Sequence, residues 1–170
     1  MEKKDINALT KENVIDLIGN QWMLITAGDK DKFNTMTASW GGVGFLWNKP
    51  VAFIFVRPER YTHEFIDSNE RLTLSFFHES QRKALQICGS KSGRDCDKVS
   101  MAGLHSEQLA DGVVTFSEAR LILVCRKLFR SDMSEADFLD KTVAEKWYND
   151  KPGGGWHTVY VVEIEDVYEQ

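Results

Sequence analysis

In Asn34-Thr35-Met36-Thr37-Ala38-Ser39-Trp40-Gly41-Gly42, hydroxyl and apolar side chains take turns. A period of two is that of a β-strand. It predicts one face carrying Thr35, Thr37 and Ser39 and an opposite face carrying Met36, Ala38 and Trp40. Gly41 and Gly42 are expected to end the strand and let a ligand or a second backbone come close. Two readings follow. The strand offers three hydroxyls and its amides to a polar planar ligand, or it is an ordinary threonine-rich, half-exposed strand, since threonine favours strands.

Outward from this segment the pattern is one of strands. Upstream, Trp22 to Ala27 reads as a buried strand, joined to it by the polar hairpin Gly28-Asp29-Lys30-Asp31-Lys32. Downstream, Val51-Ala52-Phe53-Ile54-Phe55-Val56 is so apolar that it predicts a strand buried on both faces. Further strands are expected at Arg71–Phe77, Val113–Phe116, Ala119–Phe129 and Trp156–Tyr168. Short helices are expected from a Thr10 cap to Ile18, at Tyr61–Asp67, from a Ser80 cap to a stop at Gly89, at Asp97–Ala102, and over much of Ser131–Asp150. Pro152-Gly153-Gly154-Gly155 reads as a flexible turn. Strands cluster as hairpins, and no Gly-x-Gly-x-x-Gly follows the first strand, which disfavours a doubly wound dinucleotide fold. The expected class is mainly β: an antiparallel barrel with peripheral helices, one domain over residues 1–170.

The chain of 170 residues carries a net charge of −5, with 28% charged and 42% hydrophobic residues. It is long enough for a real core, and its acidity argues against general nucleic-acid binding. No apolar run approaches the roughly 20 residues that span a bilayer. With no signal-peptide pattern at the N-terminus, a cytoplasmic location is expected. Cys88, Cys96 and Cys125 form no Cys-x-x-Cys pair, so neither a disulfide framework nor a zinc site is expected. Cys125 reads as core, whereas Cys88 and Cys96 flank a charged loop and are expected to be partly exposed.

Positive charge gathers in two places despite the acidic total. Arg57 and Arg60 bracket Pro58-Glu59. Between residues 81 and 98 five cations (Arg82, Lys83, Lys91, Arg94, Lys98) face two aspartates, around Gly89-Ser90-Lys91-Ser92-Gly93. Small residues, hydroxyls and a lysine suit a phosphate. The spacing is not that of a P-loop, and a solvated basic loop is the plainer alternative. No histidine pair has metal-ligand spacing, so no metal site is expected. His157, opening the last strand after the glycines, is the histidine best placed for a site.

Five motifs recur in a familiar order: Asn34 to Gly42, Lys49-Pro50, Arg57-Pro58-Glu59-Arg60-Tyr61-Thr62, Ser92-Gly93-Arg94-Asp95-Cys96-Asp97-Lys98, and Trp156-His157-Thr158. The chain resembles the flavin reductase-like family with the FMN-binding split barrel, most of all its flavoredoxin branch, from about Trp22 to Tyr168. The resemblance implies a homodimer of split β-barrels with FMN near the subunit interface. It implies that Asn34, Thr35, Met36, Thr37, Ala38, Ser39 and Trp40 contact the ring and ribityl chain, largely through backbone amides. Arg57, Tyr61 and Thr62 would lie near the phosphate. Ser90, Lys91, Ser92, Gly93 and Lys98 would complete the pocket, and His157 would stand near the flavin as the one candidate catalytic residue. Expected functions are an NADH- or NADPH-dependent reductase of flavin or another acceptor, a non-enzymatic FMN electron carrier with a protein partner, or a flavin-binding module. Residues 131–155 are longer than the connection usual in the family. They read either as a surface helix with a loop or as a lid over the flavin.

Overall fold

The computed structural model of the protein describes residues 1–148 and 155–170. The strands are β1 (Glu2–Lys4), β2 (Met23–Gly28), β3 (Phe33–Ala38), β4 (Gly41–Leu46), β5 (Lys49–Val56), β6 (Arg71–Phe77), β7 (Ser106–Gln108), β8 (Val114–Phe116), β9 (Ala119–Asp132) and β10 (Thr158–Glu169). The helices are α1 (Val14–Asp16), α2 (Tyr61–Ser68), α3 (Arg82–Ser90), α4 (Lys98–Ala102) and α5 (Lys141–Tyr148). Seven strands run β3-β2-β6-β9-β10-β5-β4, every pairing antiparallel, with β1 added beside the end of β10 and a separate β7-β8 ribbon. β3 and β4 are the two ends of this path and do not pair with each other, so the barrel is split between them. Antiparallel strands with peripheral helices are the class expected.

One core fills the barrel, with Ile25, Ile54, Leu74, Leu123, Tyr160 and Val162 each fully or nearly fully buried. A second lies under α3, where Leu24, Leu85, Cys88, Phe116 and Ile122 meet. β6 and β9 sit in the middle of the sheet and are buried on both sides through Leu72–Phe77 and Leu121–Cys125. Each fully buried leucine or isoleucine contributes roughly 1.5–3 kcal/mol relative to exposure.

Several local expectations are corrected. The glycines after Trp40 do not end strand structure: the chain breaks at Ser39-Trp40, and Gly41 opens β4. A Cβ on Gly41 would stand 2.7 Å from the Phe53 carbonyl oxygen, so only glycine lets β4 begin this close to β5. β5 is not buried on both faces. Ala52, Ile54 and Val56 point into the core, while Phe53 and Phe55 are half-exposed, because β5 lies next to the sheet edge. The N-terminal helix is not one helix capped by Thr10. Asp5 caps a 3-10 turn (Ile6–Lys11), Asn13 caps α1, and a π turn (Leu17–Gln21) follows. Ser80 makes no cap for α3, which a 3-10 turn (Glu79–Gln81) leads into and which passes through Gly89. Cys88 is fully buried rather than partly exposed.

The segment expected to be mainly helical from Ser131 is more mixed. β9 runs on to Asp132, a 3-10 turn (Glu135–Asp137) with a Ser134–Asp137 capping box follows, and then α5. Most of the expected turn at 152–155 lies outside the described residues, Gly155 alone being described.

Candidate functional site

The side chains at the C-terminal end of β3 line a cavity of about 220 Å³. Met36, Thr37, Ala38, Ser39 and Trp40 form one wall; Phe55, Arg57, Arg60 and His157 form the rest. The local reason is plain. β3 is an end strand of the path, so past Ala38 no neighbour covers it on the β4 side. Phe55 of β5 and Arg57, just past its end, are two apart and both line the cavity. Thr158 of β10 pairs with Val56 of β5, which brings His157 beside them.

Two of the three expected hydroxyls are committed elsewhere. Thr35 is fully buried, its Oγ1 2.8 Å from Thr26 Oγ1. Thr37 Oγ1 donates to the Leu85 carbonyl of α3 at 2.5 Å. The Thr35 and Thr37 hydroxyls thus hold the fold, while Ser39, past the end of β3, lines the cavity.

Asn34 and Thr62 pair with each other, Asn34 Nδ2 donating to Thr62 Oγ1 at 2.7 Å in a buried contact. Gly93 packs directly on that asparagine; a Cβ there would lie 2.1 Å from Asn34 Oδ1. Asn34 and Gly93 border a second cavity, of about 460 Å³, with Phe33, Cys96 and Lys98. Lys98 is buried and donates to the carbonyls of Cys88 and Lys91, each at 3.2 Å. Burial is the main reason its pKa falls to about 8, with the nearby Arg60 charge acting the same way. Tyr61 stacks edge-on with Phe65 and lies under the Arg94 guanidinium, away from the Met36–Trp40 cavity. Ser90 Oγ turns back to the Gln86 carbonyl of its own helix, and Ser92 Oγ accepts from the Arg94 amide. Lys91 is exposed.

Arg57 is held by protein. Its Nη2 donates to the Trp147 carbonyl at 2.8 Å and its Nη1 to the Gly155 carbonyl at 3.0 Å, with the guanidinium over the Tyr148 ring at 5.0 Å. Arg60 donates to the Gly89 carbonyl at 2.8 Å, which ties the β5–α2 turn to the end of α3. Burial pulls the Arg60 pKa below its ordinary value, as expected of a cation lacking full hydration. His157 is buried, and its Nδ1 lies 2.7 Å from the Tyr148 hydroxyl. Burial first, and the Arg57 charge second, push its pKa down to about 4, so the ring is neutral near pH 7.

Arg60, Phe55 and the α5 aromatics were not among the residues singled out as candidates. Arg60 sits in the quoted Arg57-to-Thr62 motif, and Phe55 shares a face with Arg57, so both carried a readable signal. Trp147 and Tyr148 had none beyond being aromatic. No cluster of three or more potential metal ligands occurs among the described residues. None of their helices is long and apolar enough to cross a membrane.

A family profile described as a flavin reductase like domain matches residues 16–170. The chain belongs to the flavin reductase-like family. No curated protein matches it. Solved flavin reductase-like structures share its fold. Flavoredoxin from Methanosarcina acetivorans is 22% identical with a TM-score of 0.66, the match covering 88% of this chain and 68% of that one. Flavoredoxin of Desulfovibrio vulgaris is 18% identical with a TM-score of 0.67, over 99% and 77% of the two chains. An NADH:FAD oxidoreductase from Streptomyces globisporus is 14% identical with a TM-score of 0.64, over 88% and 74%.

Proposed function

We propose that this flavin reductase-like chain binds FMN along β3 and works as an oxidoreductase supplied with hydride by NADH or NADPH. The observation that carries the reading is the cavity at the end of β3, where Met36, Phe55 and Trp40 meet Arg60 and His157. A flat apolar ring with an anionic tail needs such a mixture. Phe55 and Met36 offer the ring dispersion contact, and Ser39 with the β3 backbone offers hydrogen bonds. Arg60 on one side and Lys98 at the other end of β3 are the cations for a phosphate. Bound FMN would supply the capacity to accept a hydride and release electrons, which no side chain here has.

The protein's own contribution is placement and field. Met36 and Phe55 give the cavity an apolar side. Arg60, partly desolvated, interacts more strongly with a developing negative charge than an exposed arginine does. His157 is neutral and held at Nδ1 by Tyr148, so it acts at the ring through a hydrogen bond and not as a cation. Residues Arg57, Tyr61, Thr62 and Ser90–Gly93 fit a supporting role: they fix the strand, the turn and the loop that border the site. Homodimer formation fits the exposed Phe45, Trp47 and Phe129, which lie 70%, 55% and 46% exposed.

A carrier that holds FMN and passes electrons to a protein partner is the second reading, favoured by the likeness to two flavoredoxins. One experiment tests both. Purified protein is mixed with FMN, freed of excess, and titrated anaerobically with NADH and NADPH. Retained yellow colour that bleaches at a catalytic rate supports the enzyme. Retained colour without bleaching supports the carrier, and no retained flavin refutes both.

A further inference from the structure

Two consecutive residues in the first turn of α2 reach two different strands. Thr62 accepts from Asn34 of β3. His63 turns the other way, and its Nε2 lies 2.9 Å from Thr158 Oγ1 at the start of β10. This second contact is shielded: Thr158 is fully buried and the His63 side chain is 12% exposed.

The direction of the bond follows from where the hydrogens go. Thr158 Oγ1 donates to Asp132 Oδ1 at 2.6 Å. That contact is the main reason the Asp132 carboxyl is held below its ordinary range, and an ionised carboxylate only accepts. Tyr160 likewise donates its one hydrogen to Asp67 Oδ1 at 2.7 Å, while its oxygen stands 3.2 Å from His63 Nε2. Two oxygens with no hydrogen left to give therefore face Nε2. The ring hydrogen sits on Nε2 and is shared between them. On the far side of the ring, Nδ1 lies 3.6 Å from Asp67 Oδ2, and Arg130 bridges Asp67 and Asp132 at 3.4 and 3.0 Å. His63, Thr158 and Asp132 thus form a chain of hydrogen bonds from α2 through β10 to β9.

Thr158 directly follows His157. The Thr158 side chain turns to α2 and β9, whereas the His157 ring lines the β3 cavity. The His157 carbonyl accepts from the Met133 amide at 3.0 Å. What grips Thr158 from behind therefore fixes the backbone from which the His157 ring projects.

We infer that His63 is a positioning residue for His157: its bond to Thr158 sets where the His157 imidazole stands in the β3 cavity. The bearing of this on flavin chemistry rests on the reading above; the bearing on His157 does not. A group misplaced by about 1 Å loses on the order of 10²-fold in rate, so a bond at one remove from the cavity has a kinetic consequence.

The test compares His63→Ala, His63→Gln and Thr158→Val in the full chain, each checked for folding by thermal melting. With FMN bound, His63→Ala should lower kcat for reduction by whichever nicotinamide bleaches the parent about tenfold, with KM and FMN retention within about twofold. His63→Gln keeps an N–H donor and should recover to within about threefold of the parent. Thr158→Val should repeat the alanine effect, and joining it to His63→Ala should lower kcat no further, because both cut one chain. If His63→Ala does not fold, Thr158→Val carries the same comparison. Without flavin, the His157 ring signals in ¹H–¹⁵N spectra should move in His63→Ala and return in His63→Gln. Unmoved His157 signals, an equal loss in the alanine and glutamine variants, or a change in KM alone would each overturn the assignment. A parent chain that retains no FMN, or is not bleached, sinks the enzyme reading instead, and the His157 signals then decide the positioning by themselves.

Discussion

Arg57, at the end of β5, donates to the carbonyl of Trp147, the penultimate residue of α5, at 2.8 Å. A helix C-terminus presents unpaired carbonyls and a partial negative charge, and a guanidinium answers both. The contact joins the barrel to α5, whose Trp147 also meets Trp40 edge to face. Arg57→Ala should therefore detach α5 before it does anything else. Loss of two charge-assisted bonds should cost about 1.5–3 kcal/mol in urea unfolding, and the emission of Trp147 should shift to the red. Unchanged emission would show that α5 docks without this arginine.

Gly93→Ala should be destabilising far beyond an ordinary loop substitution. The new Cβ would sit 2.1 Å from Asn34 Oδ1 and force the buried asparagine off Thr62. A lost buried hydrogen bond with unsatisfied partners costs roughly 1–3 kcal/mol. Thermal melting checks it, and Asn34→Ala should largely mask the effect, because the clash is with that side chain.

His157 gives the protein an acid-side dependence. Its folded pKa of about 4 lies below the ordinary 6.5, so the unfolded chain binds the proton more readily between those values. Stability should therefore fall as pH drops from about 6.5 towards 4. The full linkage amounts to roughly 3 kcal/mol. Urea midpoints at both ends of that window, in the parent and in His157→Gln, measure it; equal slopes in the two proteins would refute the assignment.

Lys98 acts at the alkaline end for the same reason, burial of a cation. Its folded pKa of about 8 lies below the ordinary 10.5, so the unfolded chain again holds more protons, here from pH 8 to 10.5. Apoprotein stability should rise across that window as the buried ammonium is discharged, and Lys98→Met should flatten the rise. If the proposed phosphate contact forms, FMN binding at pH 9 should take up a proton. Calorimetry in two buffers of different ionisation enthalpy reads that directly.

Phe45→Glu should shift the protein towards monomer if the exposed Phe45–Trp47–Phe129 patch is the face between two copies. Sedimentation velocity at several concentrations decides it. An unchanged distribution would move the interface elsewhere.

Much of this was legible in the chain. Period-two alternation placed β3, and the apolar runs placed β2, β5 and β9, because strand burial leaves a direct mark on residue order. Gly41 misled: the same glycine that marks a strand end also permits close approach to Phe53, and local sequence does not separate the two uses. The hydroxyls of Thr35 and Thr37 misled for a related reason. A threonine serving Thr26 or the Leu85 carbonyl has the same letter as one serving a ligand, and the partner lies 9 or 48 residues away. β1 was missed since Glu2-Lys3-Lys4 has no strand character and pairs only through what β10 offers it. At the site, Arg60 and Phe55 were within reach of the pattern. Tyr148 was not, since its meaning comes from a histidine nine positions on and a fold that brings the two together.

The gap between β3 and β4 has a further consequence for how such a protein ages in a cell. Two strand margins that lack each other as partners leave main-chain donors and acceptors looking for any extended peptide, including a second unfolded chain. A guest held tightly at the end of β3 would occupy part of that margin and act as a safeguard against clumping as well as a reagent. On that view, scarcity of the guest would shorten the protein's lifetime before it limited its chemistry.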